Sequence, residues 1–288
     1  MESGNELGEF LRARRELVRP GEFGLPDPGR RRVPGLRREE VALLAGLSAD
    51  YYIRLEQGRD KRPSEQVIEA LARVFSLDEE AVAHLRELAR PATTRRKRRP
   101  SQPERVSPSL ERLLEAWTTT PALVVGRYLD VLANNRIAAA LNHCSVKGNN
   151  QLRMIFLDPA TRAIYADWDT VAAESVASLR ATAGTDLDDP RLTELVGELS
   201  LKSEDFRRLW ARHDVGLKTA GVKRYVHPMI GELTLSYETM SVNGNPGQFL
   251  LVYHAEPGSP DERALRLLST AAAEVTPGLS DRAALPGA

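Results

Sequence analysis

In the C-terminal part of this 288-residue chain, the residues whose types could do catalytic chemistry are His143, Cys144, His213, Asp214, His227 and His254. Adjacent His143 and Cys144 lack the spaced second pair of ligands that a zinc site uses. No G-x-S-x-G nucleophile elbow occurs, and no glycine-rich phosphate loop follows a strand pattern. His213 beside Asp214 at a helix end fits a buried hydrogen-bonded pair, or a cation at a helix C-terminus, better than a general base. The expectation is therefore a protein that is not an enzyme, with no metal and no cofactor. A single cysteine excludes an internal disulfide and agrees with a reducing compartment.

The remaining chemistry is that of charge. The total balances at 40 basic and 40 acidic residues, but the distribution is uneven. Residues 1–100 hold 21 Lys and Arg against 17 Asp and Glu, which leaves 19 against 23 for the rest. The excess is clustered at Arg30, Arg31, Arg32, Arg37 and Arg38, at Arg59, Lys61 and Arg62, and in the run from Arg95 to Arg99. Each cluster taken alone reads as a solvated loop, whereas several in one segment are what a polyanion attracts.

The elements that must carry these groups follow from periodicity. Residues 8–18 space Phe10, Leu11, Arg14, Leu17 and Val18 as a helix stopped by Pro20 and Gly21. Residues 37–45 form a second helix broken by Gly46. Ser48 caps a third over 49–57, and Gly58 ends it. Two more amphipathic helices over 64–75 and 78–89 start at caps Ser64 and Asp78. Residues 91–108 hold almost no large apolar side chain and form a basic, Pro-rich linker. Beyond it come a helix over 109–117, strands over 122–127 and 131–133, and helices over 169–183, 190–199 and 204–212. The chain closes with strands over 222–227, 232–240 and 248–254 and a helix over 261–273. The domain boundaries expected are 1–90, linker 91–108, a second domain over 109–275 and a flexible tail over 276–288.

Within residues 38–58, Ala42 is small enough for two helices to cross closely and Gly46 supplies the turn. Val41, Ala45, Leu47, Tyr52 and Leu55 can hold the helices together. The stretch from Arg38 through Ser48, Tyr52, Leu55, Glu56 and Gly58 resembles an XRE-class helix-turn-helix. The resemblance implies that the residues after Ser48 enter the major groove of double-stranded DNA, with Ala49, Asp50 and Arg54 nearest the base edges and Tyr51 toward the backbone. Arg54 is the best base reader, because a guanidinium can donate two bonds to guanine. Arg38, Arg59 and Lys61 match phosphate-contacting positions. Glu56 matches an acidic residue that pairs with an arginine of the first helix, for which Arg14 is the candidate. The loop over 19–35 is longer than usual, and its Arg30, Arg31 and Arg32 either add DNA contacts or lie in an unstructured segment.

Further on, residues 121–124 and 129–134, the stretch from Phe206 to Val215, and His227-Pro228 before the run from Gly231 to Glu238 resemble the ligand-binding domain of MmyB-like regulators. The resemblance implies a PAS-like fold, with helices packed on an antiparallel sheet and a pocket for a small apolar or fatty-acid-like ligand. Met154, Phe156, Trp168, Phe206, Trp210 and Tyr237 line that pocket or are plain core.

Together these features predict a multidomain chain, all-α helix-turn-helix first and an α+β PAS-like domain second. It is expected to be a sequence-specific transcription regulator, a homodimer, cytoplasmic, and not a membrane protein, since no apolar run nears the roughly 18 residues of a span and the first ten residues lack a signal-peptide pattern. The competing reading is a helical protein–protein adaptor whose C-terminal domain is purely structural or serves dimerisation.

Overall fold

The computed structural model of the protein describes residues 5–25, 35–90, 104–184 and 189–274. The expected linker run from Arg95 to Arg99, the loop arginines Arg30, Arg31 and Arg32, and the tail over 276–288 lie outside the described residues. The chain forms two compact units, one of residues 1–100 with 176–217 and the other of residues 101–175 with 218–288. The helices after residue 176, which the sequence groups with the second half, thus share a unit with the N-terminal helices.

The first unit is helical. It begins with α1 (Glu6–Leu17), α2 (Arg38–Ala45), α3 (Ala49–Glu56), α4 (Glu65–Val74) and α5 (Glu79–Ala89). Local signals set these boundaries: the Ser48 hydroxyl accepts from the Tyr51 amide at 3.2 Å and the Asp78 carboxylate from the Ala81 amide at 2.8 Å. Gly46, at φ 68°, closes α2 in the left-handed conformation that lets the chain turn into α3. Phe10, Leu11, Leu36, Val41, Tyr52, Leu55, Leu71 and Leu85 are buried together as its core. The crossing of α1 on α3 needs Gly8, where a Cβ would lie 2.2 Å from the Glu56 carbonyl oxygen.

Into the same unit come the C-terminal half of α10 (Trp168–Ala183), α11 (Pro190–Lys202) and α12 (Glu204–Trp210). Val215, just past α12, is buried in the core of α1 to α5. Arg14 of α1 donates to Asp214 at 2.8 Å, and the Leu217 amide donates to Glu80 of α5.

The second unit is α+β. It contains α6 (Pro108–Ala116), β1 (Ala122–Val125), β2 (Val131–Asn134), α7 (Arg136–Leu141), α8 (Gln151–Leu157) and α9 (Pro159–Ile164), then the start of α10. The chain completes it with β3 (Ala220–His227), β4 (Gly231–Ser241), β5 (Phe249–His254) and α13 (Pro260–Glu274). The five strands form one antiparallel sheet in the order β2-β1-β5-β4-β3. On one face, Leu114 of α6 packs on Ala122, Val124, Ala133 and Leu250. Single bridges touch both edges: Tyr165 bridges to Tyr225 of β3, and Asp130, just before β2, bridges to Asn150.

Asn135 ties the entry to the sheet. Its buried side-chain oxygen accepts from the Ala122 and Ala138 amides at 3.0 Å each, and its amide nitrogen donates to the Trp117 and Thr120 carbonyls. Four backbone groups that no ladder reaches are satisfied by one side chain.

Candidate nucleic-acid interface and buried cation cluster

Helix α3 is amphipathic. Tyr52, Leu55 and Glu56 point inward, while Asp50, Arg54 and Gln57 are exposed and Ala49 and Tyr51 are half-buried. Arg54 is paired along the helix with Asp50, and its guanidinium lies 5.7 Å from the Tyr51 ring centroid. The helix is followed at once by exposed Arg59, Lys61 and Arg62. The backbone fixes that turn, since the Arg59 and Asp60 amides both donate to the Arg54 carbonyl, at 2.9 and 3.2 Å. Ala49, Asp50, Tyr51, Arg54, Arg59 and Lys61 thus occur on one short capped helix and the turn that leaves it.

Behind this helix lies a buried ion cluster. Glu56, with a side chain 2% exposed, accepts from Arg15 Nε and Nη2 at 2.9 and 3.0 Å, and from Arg38 Nε at 2.9 Å. Burial alone would raise the Glu56 pKa, but the two arginines outweigh it and hold the carboxyl below its ordinary value. The arginine of the first helix that meets Glu56 is therefore Arg15 and not Arg14. Arg15 follows Leu11 by four residues on the buried stripe of α1, whereas Arg14 is turned about 100° from it and reaches Asp214. Arg38 is the half-exposed member of the cluster, its side chain 44% exposed.

The expected pocket residues fall into separate groups. Phe156 and Trp168 meet edge to face at 5.8 Å in the second unit, where Met154 is half-buried on the same helix as Phe156. Phe206 and Trp210 stack at 5.9 Å in the first unit, and the Arg180 guanidinium lies 3.9 Å from the Trp210 ring centroid. Tyr237 belongs to a third group on the inner face of the sheet.

That third group joins residues far apart in the sequence. Lys223 of β3 is 5% exposed, and its ammonium donates to the Tyr253 hydroxyl at 3.1 Å. It lies 5.1, 5.3 and 5.8 Å from the ring centroids of Tyr237, Tyr253 and Tyr165. The Tyr165 hydroxyl accepts from Asn142 at 2.8 Å and lies 3.7 Å from the Cys144 sulfur. Lys218 donates to Ser175 at 2.9 Å and lies 3.6 Å from Glu174. Burial first, and then the charge of Lys223, push the Lys218 pKa down to about 7. The one available signal was strand parity, with Lys223, Tyr225 and His227 alternating against Val222, Arg224 and Val226.

The histidines are dispersed. His143 meets Asp158 and Thr161 at the start of α9, and His227 donates to the Ala140 carbonyl at 3.0 Å and accepts from the Met229 amide. His213 lies in the first unit at φ 54°, its pKa lowered to about 3 by burial first and then by Arg180, His84 and Arg14.

A family model described as the MmyB-like transcription regulator ligand binding domain matches residues 106–268, and a helix-turn-helix domain model matches residues 6–85. No curated protein matches the chain. No described helix is long and apolar enough to cross a membrane.

Proposed function

The chain belongs to the MmyB-like transcription regulator ligand binding domain family, with a helix-turn-helix domain ahead of it, and on that premise we propose a sequence-specific regulator of the XRE class that acts as a homodimer. It is a DNA-binding transcription regulator. The observation that carries the finer reading is α3, whose buried face is fixed in a helical core and whose exposed face presents Asp50 and Arg54, followed at once by Arg59, Lys61 and Arg62.

In this reading Ala49, Asp50 and Arg54 address base edges, with Tyr51 toward the backbone. Arg38, Arg59 and Lys61 contact phosphates, joined by Arg30, Arg31 and Arg32 from the long loop. Asp50 holds Arg54 extended along the helix until a guanine takes the guanidinium. The PAS-like C-terminal domain binds a small apolar, fatty-acid-like ligand that modulates DNA binding in the cytoplasm.

The test is DNA affinity against salt. Three to six phosphate contacts give a log–log slope of about −3 to −5 per subunit, at roughly −0.9 per contact. A flat response removes DNA contact by these arginines. The homodimer is checked on the same samples: a monomer in light scattering, at concentrations that saturate an inverted-repeat operator, refutes it.

A further inference from the structure

We propose that residues 176–217 form a regulatory arm of the DNA-binding unit, latched to α1 by the ion pair between Arg14 and Asp214, so that engagement of the arm and DNA binding at α3 favour each other. The proposal rests on the reading that α3 and the arginines after it contact DNA, and it names the route by which that contact is regulated.

The arm lies within the residues matched by the ligand-binding family model, 106–268, yet it folds with the helix-turn-helix. It leaves the second unit within α10, after Ser175, and returns at Lys218, and in that unit the Lys218 ammonium donates to the Ser175 hydroxyl at 2.9 Å. Between these ends the arm is tied to itself. Arg180 of α10 is 2% exposed, donates to the Trp210 carbonyl at 2.7 Å and lies over the Trp210 ring. His213 follows at φ 54°, a left-handed conformation that residues other than glycine adopt rarely and at a cost. Directly after it, Asp214 accepts from Arg14 at 2.8 Å and Val215 is buried in the core of α1 to α5. A backbone outlier placed where the arm meets α1 points to function at that contact.

Helix α1 carries the latch to the recognition helix. Its adjacent residues Arg14 and Arg15 serve different partners: Arg14 holds Asp214 of the arm, and Arg15 holds Glu56 at the end of α3 through bonds of 2.9 and 3.0 Å. The two helices have little room to slide. A Cβ at Gly8 would lie 2.2 Å from the Glu56 carbonyl oxygen, and the Asn5 side-chain amide donates to that same oxygen at 3.1 Å. A shift of α1 therefore carries α3 with it, together with Glu56, which also accepts from Arg38 at 2.9 Å. On the arm side, Asp214 takes Arg212 as well, at 2.8 Å, and its charge acts on buried Arg180. Neutralising this one carboxylate leaves three arginines repelling one another where the arm grips α1.

The test is amide hydrogen exchange of the full-length protein with and without a random-sequence DNA duplex, saturating at low salt. An amide whose opening leaves DNA affinity unchanged exchanges alike in both samples, whereas one whose opening weakens DNA binding slows by the factor that links the two. In the wild type, DNA is expected to slow the amides of α3 and also those of α11 and α12, the latter by at least about fivefold. Asp214→Asn should keep the protection of α3 and reduce that of α11 and α12 to within about twofold, and Asp214→Glu should restore it. Wild-type protein in which DNA slows α3 but leaves α11 and α12 unchanged overturns the arm and leaves the DNA reading intact; this comparison decides whether or not a variant folds. Exchange unaltered by DNA throughout, α3 included, overturns the DNA reading and the arm with it. A folded Asp214→Asn that keeps the full protection of α11 and α12 overturns the latch at Asp214.

Discussion

Substituting Glu56 by glutamine keeps its shape and removes the charge on which two arginines converge. Arg15 is buried and donates two of its bonds to this carboxylate, at 2.9 and 3.0 Å, with a third to the Leu36 carbonyl at 2.9 Å. Removing one partner of a buried ion pair costs about 3–5 kcal/mol, because the other charge stays buried and uncompensated. The glutamine oxygen still accepts one bond, which places Glu56→Gln at the low end, about 3 kcal/mol. Arg38, being half-exposed, adds little, so Arg38→Ala should cost less than about 1 kcal/mol. Amide exchange in α1 and α3 should then quicken by about a hundredfold in Glu56→Gln, and by less than about fivefold in Arg38→Ala. Replacing both buried partners, Arg15→Met with Glu56→Leu, should recover most of the loss. Equal, small effects from Glu56→Gln and Arg38→Ala would refute the claim that Glu56 is the buried centre of the cluster. Since the folded carboxyl titrates below its usual range, its contribution is present at neutral pH and lost only as the pH falls through that lowered value.

Arg54→Ala and Arg59→Ala remove the same charge, yet the first should cost about 1–3 kcal/mol on a cognate site and far less on random DNA, while the second weakens both alike and lowers the salt slope by about one. Comparing the two by fluorescence anisotropy separates a base reader from a phosphate contact, and identical, sequence-independent losses would remove Arg54 from recognition. Asn135→Ala strands two amides and two carbonyls at the start of the sheet and should destabilise the second unit by about 3 kcal/mol in urea unfolding. His213 stays neutral when folded, down to about pH 3, while the unfolded chain gains a proton below its ordinary pKa of 6.5. Its contribution is therefore complete above pH 6.5 and is lost as the pH falls, by about 1.4 kcal/mol per unit. The melting temperature should drop between pH 7 and pH 5 by more in the wild type than in His213→Asn, asparagine being a residue that tolerates the φ of 54° at that position.

Local physics made the N-terminal half legible. The caps at Ser48, Ser64 and Asp78 and the turn at Gly46 act within three or four residues, so α2 to α5 follow from the sequence to within a residue or two. What failed there was helical phase, where one residue separates buried Arg15 from Arg14. Helices α7, α8 and α9 are six or seven residues long, too short for a 3.6-residue period to emerge, and asparagine and aspartate side chains cap them. The cation cluster was illegible for a different reason. Whether Lys223 or Val222 faces inward depends on which residues of β4 stand opposite, and that register joins residues with no local signal between them. Met154, Phe156, Trp168, Phe206, Trp210 and Tyr237 share only their residue types, and type alone does not say which of them meet.

The edges of the sheet bear on how copies of this chain can meet. Outside β3 the Ala166 amide donates to the Arg224 carbonyl at 3.0 Å, and outside β2 the Val131 amide donates to the Asn149 carbonyl at 2.8 Å. A backbone group of each outer strand is thus engaged within the chain. Growth of the sheet from one molecule into the next, the route to strand-swapped dimers and fibrillar aggregates, would first have to displace the contacts at Arg224 and Val131.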